Sequence, residues 1–271
     1  MSGDSERDSV NPRTMASRIA ALLLASALLY AVPAIAAEIR VMISGGFSAA
    51  YQELLPEFER ATRHTVVTSR GASIGTTPTS IPSRLQRGEP VDVFIIAGDA
   101  LEGLDKQGKV VPGSRIDLAQ SRIGLAVRAG ASKPDIGTVD AFRRLMLEAK
   151  SVSISTSASG VYLSTELFPR LNIADQMKAK TRAVAGEPAG APVARGDAEI
   201  ALQQISELLP VPGIDYVGPL PAEIQKVTVF SAGVAAGAKE PEAARELIRF
   251  LASPKAAQAI AKSALEPMTS R

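Results

Sequence analysis

From residue 38 onward the chain alternates short runs of β-branched residues with stretches of helical period, and this alternation limits its folds more than any other feature. Residues 38–44 read as a strand, Gly45-Gly46 as a tight turn, and 48–61 as a helix with Tyr51, Leu54, Leu55 and Phe58 on one face. Residues 64–69 form the next strand, 80–87 a short helix, 91–96 a buried strand and 99–107 another helix. A second unit follows: strand 122–128, helix 139–149 introduced by Thr138, strand 152–155, and a helix beginning near Gly160. Further strands are expected at 181–184, 199–202, 214–217 and 227–235, with two Ala-rich amphipathic helices at 241–252 and 254–264. Such alternation predicts an α/β fold with largely parallel, doubly wound sheets. Ligands of such sheets sit outside the carboxyl ends of the strands.

The first 36 residues are built differently. Arg13 and Arg18 precede a charge-free apolar run over 19–32, followed by Pro33 and the small-x-small triplet Ala34-Ile35-Ala36. This is the three-part pattern of a secretory signal peptide, with cleavage near Ala36 and Met15 as an alternative start. The uncharged run is shorter than the ~20 residues that a bilayer span needs. The expected organisation is therefore a leader at 1–36, a first lobe from 37–120 plus 236–271, and a second lobe inserted at 121–235. Export to the periplasm follows from the same leader.

The chain has no cysteine, which excludes disulfides, thiolate metal sites and cysteine nucleophiles together. An exported chain without disulfides depends on its core, and 46% hydrophobic residues with 4% aromatics make that core aliphatic. A net charge of +2, no tryptophan and no basic run interleaved with aromatics argue against nucleic acid. One histidine and no clustered carboxylates leave no metal constellation, and no cofactor is expected. Nucleophile-elbow and phosphate-loop motifs are absent as well.

Three loops precede helices at the expected cleft: 44–48, 70–80 and 155–162. Each is rich in Gly, Ser or Thr. Unpaired N–H groups at helix N-termini, with the macrodipole and nearby hydroxyls, make an anion site without a formal counter-charge. The same residues are also ordinary caps and turn formers. The candidate ligand-binding residues are Ser44, Gly45, Gly46, Arg70, Thr77, Thr79, Arg84, Ser159, Gly160, Tyr162 and Gln204. Arg70 ends a strand on the cleft edge, and a guanidinium fork there matches a carboxylate. A solvated surface arginine is the competing reading for Arg70 and the favoured one for Arg84.

Several segments resemble the periplasmic molybdate-binding protein family, type II solute-binding proteins that serve ABC importers. Residues 87–95, RGEPVDVFI, followed by Ala97-Gly98-Asp99, look like the family's G-x-P-A-D-V-F strand and S-A-D turn. Ala158-Ser159-Gly160-Val161-Tyr162 resembles its P-A-G-x-Y loop, and 195–202, RGDAEIAL, its G-E-A-D-A-G-I-V segment. The resemblance implies two α/β lobes closing on a small anion, in a monomer partnered by an ABC permease. An acid at the position of Asp92 helps define that fold, through packing or hinge hydrogen bonds. The family's oxyanion-gripping residues are replaced: its first serine falls at Gly46, its Ser-Ser-Gly loop at Thr77-Pro78-Thr79, and its tyrosine at Gln204. The expected anion is thus an oxyanion or a di- or tricarboxylate.

The chain is also similar to the aconitate isomerase-like branch of this scaffold. That resemblance implies an alternative: an enzyme that moves a proton alpha to a carboxylate, which requires a base of tuned pKa and groups that hold developing charge. With cysteine excluded and His64 expected at a strand end away from the cleft, the base would be Asp99, Glu187, a lysine or Tyr162.

Overall fold

The apolar side chains of the first lobe's strands sort onto two faces of one sheet, Val41, Ile43, Val93 and Ile95 buried on one and Met42, Phe94 and Ile96 on the other. The computed structural model describes residues 36–268. The expected leader lies outside the described residues apart from Ala36. In chain order the first lobe runs β1 (Glu38–Ile43), α1 (Gly45–Thr62), β2 (Thr65–Arg70), α2 (Ile81–Gln86), β3 (Val93–Ala97), α3 (Gly98–Lys106) and β4 (Ile116–Ser121). The second lobe runs β5 (Ile123–Arg128), α4 (Val139–Glu148), β6 (Val152–Ser155), α5 (Ala158–Tyr162), a π-helical turn (Leu163–Leu167), α6 (Phe168–Arg170), α7 (Ala174–Lys180), β7 (Thr181–Val184), α8 (Gly190–Arg195), β8 (Ile200–Gln204), α9 (Ile205–Leu208) and β9 (Ile214–Pro219). The chain returns through β10 (Thr228–Val234), α10 (Pro241–Leu251), α11 (Ala257–Lys262) and β11 (Glu266–Pro267).

The strands form two sheets, in the orders β11-β4-β10-β3-β1-β2 and β7-β6-β8-β5-β9. Parallel pairing joins β1 to β2 and β3, and β6 to β7 and β8. Strand β10 is antiparallel to β3 and β4, and β5 to β8 and β9, so each sheet is mixed where largely parallel sheets were expected. The return crossing falls before Thr228 rather than after residue 235, because β10 hydrogen-bonds into the first sheet. No strand was read at 116–121; its mixed sequence IDLAQS lacks a clean period.

Core packing explains the helices. Phe47, Tyr51, Leu54 and Phe58 of α1 are buried with Leu247, Ile248 and Leu251 of α10 on one face of the first sheet. Ile81, Leu101 and Leu104 cover the other face against Phe94 and Ile96. In the second lobe Phe142, Met146, Leu163 and Phe168 pack on one face, and Val193 and Leu208 on the other. Thr138 caps α4 as its sequence signals, its Oγ1 accepting from Ala141 N at 3.1 Å.

Two buried ionisable groups of the first lobe, Asp92 and His64, are paired for structure. Asp92 accepts from Arg40 N at 2.7 Å and from Lys239 N at 2.6 Å, tying the sheet to the approach of α10. His64 stands at the amino end of β2, the strand end away from the cleft as expected, and is buried there: its Nδ1 accepts from Ala37 N at 3.0 Å, and Nε2 lies 3.2 Å from Glu246. Among the described residues no helix is long and apolar enough to cross a membrane.

Candidate functional site

Strand direction decides where the two lobes meet. The carboxyl ends of β1, β2 and β3 are Ile43, Arg70 and Ala97, and the register Phe230↔Ala97 and Thr228↔Ser121 brings the start of β10 and the end of β4 to the same edge. In the second sheet Ser155, Val184 and Gln204 end their strands beside the start of β5, since Ile123 pairs with Gln204. The chain crosses between these edges twice, at Arg122 and over 220–227. The crossings are laced together: Gln225 Oε1 accepts from Ile123 N at 2.8 Å, and Gln204 Nε2 donates to Thr228 Oγ1 at 2.9 Å.

At the centre of this junction lies the N-terminus of α1. The helix begins at Gly45, so Gly45-Gly46 form its first turn and not the tight turn read from sequence. A helix leaves its first N–H groups without intrahelical partners. Ser44 stands at the N-cap in extended conformation, is 2% exposed, and makes no side-chain capping bond; its Oγ has no partner. From the other lobe α9 packs onto this turn, with Ser206 Oγ donating to Gly46 O at 2.7 Å.

Glu207, one residue further along α9, was not singled out from sequence. Its carboxyl lies against Gly45 so closely that a methyl group there would overlap it. The side chain is partly buried, and burial pushes its pKa up to about 7; a hydrogen bond from the Gln203 side chain opposes the rise, and no cation acts on it. Gln203 is itself fixed, Oε1 accepting from Ala189 N at 2.7 Å. The result is a carboxyl group poised near neutrality beside unpaired helix N–H groups.

The remaining candidates divide. Ser159 is buried with Oγ 3.2 Å from Ser155 Oγ, at the start of α5, and Gly160 passes so close to Ser155 O that any side chain would collide. Thr77 and Thr79 contribute main-chain carbonyls to the 70–80 loop, accepting from Ser80 N and Arg84 Nε. Arg84 is neither in the cleft nor merely solvated. It binds Glu89 at 2.7 Å and the carbonyl of Arg70 at 3.2 Å, bracing the loop from behind. Arg70 is exposed, and Gln52 on α1 accepts from its guanidinium when the amide is turned to satisfy both. Gln204 is buried at the crossings with Oε1 unpaired, and Ser121 Oγ is likewise unpaired.

Of the bases named from sequence, Glu187 and Tyr162 are engaged elsewhere and Asp99 is exposed. Glu187 forms a two-pronged pair with Arg195, at 2.7 and 3.1 Å, which holds its carboxyl below the usual range. Tyr162 donates to Ile224 O at 2.9 Å, and burial raises its pKa. The Asp99 side chain is 92% exposed. Among the described residues no group of three or more metal-ligating side chains gathers. A separate hollow of about 590 Å³ lies at the crossings, lined by Arg122, Ile136, Pro219, Gln225 and Val227.

Comparison with known proteins agrees with this architecture. The model of the family described as "Bacterial extracellular solute-binding protein" matches residues 39–265. An aconitate isomerase from Pseudomonas sp is 46% identical over 257 residues, covering 95% of this chain and 98% of that protein. The molybdate-binding protein ModA of Azotobacter vinelandii is 30% identical over 244 residues, covering 86% and 91%. The solved periplasmic molybdate-binding protein of Azotobacter vinelandii superposes with a TM-score of 0.67 at 22% identity, covering 84% of this chain and 98% of that one. The fold is that of a type II periplasmic binding protein.

Proposed function

Since the chain belongs to the bacterial extracellular solute-binding protein family, we propose that it acts in the periplasm on a small polycarboxylate, and that it isomerises aconitate. The observation that carries this reading is the placement of Glu207: its partly buried carboxyl lies against the first turn of α1, where burial pushes its pKa up to about 7 and no cation acts on it. A protein that only holds an anion gains nothing from such a group. An enzyme that shifts a double bond needs it.

The chemistry is a proton shift along an allylic system. Glu207 as carboxylate removes a proton from the methylene next to a substrate carboxylate; the electron pair moves toward that carboxylate, giving a dienolate. Returning the proton to the far end of the allylic system moves the double bond and permits the cis or trans product. Atoms and charge balance without a cofactor. The α1 N-terminus and Ser44 Oγ would hold the carboxylate on which negative charge builds. A base near neutrality loses little to either protonation state at working pH.

A second reading is favoured by the molybdate-binding relative: a monomeric binding protein that delivers an oxyanion or organic acid to an ABC permease. The lobe-to-lobe bond of Ser206 to Gly46 supports hinge closure under either reading, because a ligand favours closure only by contacts with both lobes. Incubating purified protein with trans-aconitate at far below stoichiometric amount, and following cis-aconitate by NMR, separates the two. Turnover supports the enzyme; one equivalent bound without conversion supports the carrier.

A further inference from the structure

The return crossing carries a cation with no firm partner. Lys226 sits between Gln225, whose amide clasps Ile123 through bonds of 2.8 and 2.9 Å, and Thr228, which is bonded to Gln204. The crossing segment is therefore held on both sides of Lys226, and the ammonium lies between the lobes. Nζ is 4.0 Å from the Asp99 carboxylate on the first turn of α3 in the first lobe, and 5.7 Å from the centre of the Tyr162 ring in the second.

Neither contact occupies the charge fully. A separation of 4.0 Å is the outer limit of an ion pair, the Asp99 side chain is 92% exposed, and that of Lys226 is 40% exposed. Such pairs contribute little and are readily exchanged. Of the arginines near this edge, Arg84 is held by Glu89 and Arg115 by Asp117 at 2.9 Å, whereas Arg70 and Arg122 are exposed, Arg122 lying 3.8 Å from Glu266. Asp99 directly follows β3 and Gly98, and β3 lies next to β1 in the sheet, so the ammonium and the α1 N-terminus sit on neighbouring strand ends of one cleft edge. They approach it from opposite faces, since α1 covers one face and α3 the other.

We propose that Lys226 is a second carboxylate anchor of the cleft, exchanging Asp99 for a substrate carboxylate and so selecting an acid with at least two carboxylates. This rests on the polycarboxylate reading above. A substrate with one carboxylate at the α1 N-terminus and another on Lys226 touches the first lobe and the crossing segment together. Its central carbons then lie between the two anchors.

Calorimetric titration with tricarballylate, a tricarboxylate with no double bond to move, tests the anchor without turnover. Lys226→Met should raise Kd at least ~10-fold, the effect of losing a charge-assisted hydrogen bond, and Lys226→Arg should restore most of it. Asp99→Asn should tighten binding severalfold in the presence of Lys226 and have no effect in the Lys226→Met background, because Asp99 competes only through that ammonium. A Lys226→Met protein that binds tricarballylate within about twofold of the parent overturns the anchor alone. An effect of Asp99→Asn that persists without Lys226 also overturns it. A parent protein that binds no polycarboxylate overturns the anchor together with the functional reading on which it rests.

Discussion

Replacing Glu207 by Gln tests the central carboxyl in two independent ways. The folded protein holds this proton up to about pH 7, whereas an unconstrained glutamate releases it near 4.5. The folded pKa is raised, so the stabilising contribution is fully present below about 4.5 and is lost as pH climbs through 7. The difference corresponds to roughly 3 kcal/mol, an upper bound because the side chain keeps some contact with water. Glutamine keeps the shape and cannot ionise. At pH 8 the variant should be more stable by up to about 3 kcal/mol, which for two lobes of this size raises Tm by about 6–10 °C. At pH 4 the two proteins should melt together. Turnover should move the opposite way, falling by roughly 10²–10⁴-fold, while the parent kcat/KM rises with pH and levels off above about 7. Calorimetric melting from pH 4 to 9, alongside an NMR assay with trans-aconitate, reads both. A stability gap independent of pH refutes the burial argument, and undiminished turnover refutes the assignment of the base.

Other substitutions separate structure from chemistry. Gly45→Ala places a methyl group where the Glu207 carboxyl rests; because the tip of that side chain can swing away, stability should change by less than about 1 kcal/mol while turnover falls at least tenfold. Asp92→Ala strands the N–H groups of Arg40 and Lys239 and should cost roughly 3 kcal/mol in urea unfolding without altering ligand affinity. Arg70→Ala should change both stability and tricarballylate affinity by no more than about 0.5 kcal/mol, as expected for an exposed side chain; a larger loss of affinity in titration would mean that the guanidinium turns into the cleft.

The fold was largely legible because its strands are branched and apolar, as in VFIIA of β3 and IGLAVR of β5, and because Thr138 and Pro241 mark helix starts. What escaped depends on partners distant in sequence. Strand β10 reads clearly as a strand, yet nothing local says that it joins the first sheet, so the lobe boundary was drawn eight residues too late, at 235 rather than before Thr228. The loops that hold Ser44, Gly46 and Ser159 follow the carboxyl ends of β1 and β6, a position that strand order alone makes legible. Glu207 was missed for the same reason as β10: a glutamate in an ISEL turn looks solvated until α1 of the other lobe is laid across it. No local period linked it to Gln203, because Gln203 lies in β8 and Glu207 on α9. The arginines misled in the opposite direction, since a guanidinium at a strand end serves equally well to brace a loop, as Arg84 does.

A buried carboxyl beside a helix N-terminus also constrains what the cleft accepts. If Glu207 were always ionised, a carboxylate bound about 4 Å away would meet a repulsion of about 4 kcal/mol at an effective dielectric of 20. That exceeds the 0.3–1 kcal/mol, rising to about 2, that a helix dipole returns. A permanently charged neighbour would therefore empty the site. A permanently neutral one would be inert toward a carbon acid. With a pKa of about 7 the group is free to be neutral as the anion enters, to release that proton to solvent once other anchors hold the substrate, and then as carboxylate to accept one from the substrate carbon. Those anchors must come from beyond the helix N-terminus, which is why a cation on the crossing segment and a chemical role for Glu207 belong to the same reading. The prediction that follows is a coupled one. Tricarballylate binding to the parent near pH 7.5 should take up a fraction of a proton, measurable from the buffer dependence of the calorimetric heat, and Glu207→Gln should abolish that uptake. Proton uptake that survives the substitution would place the titrating group elsewhere and leave the base unassigned.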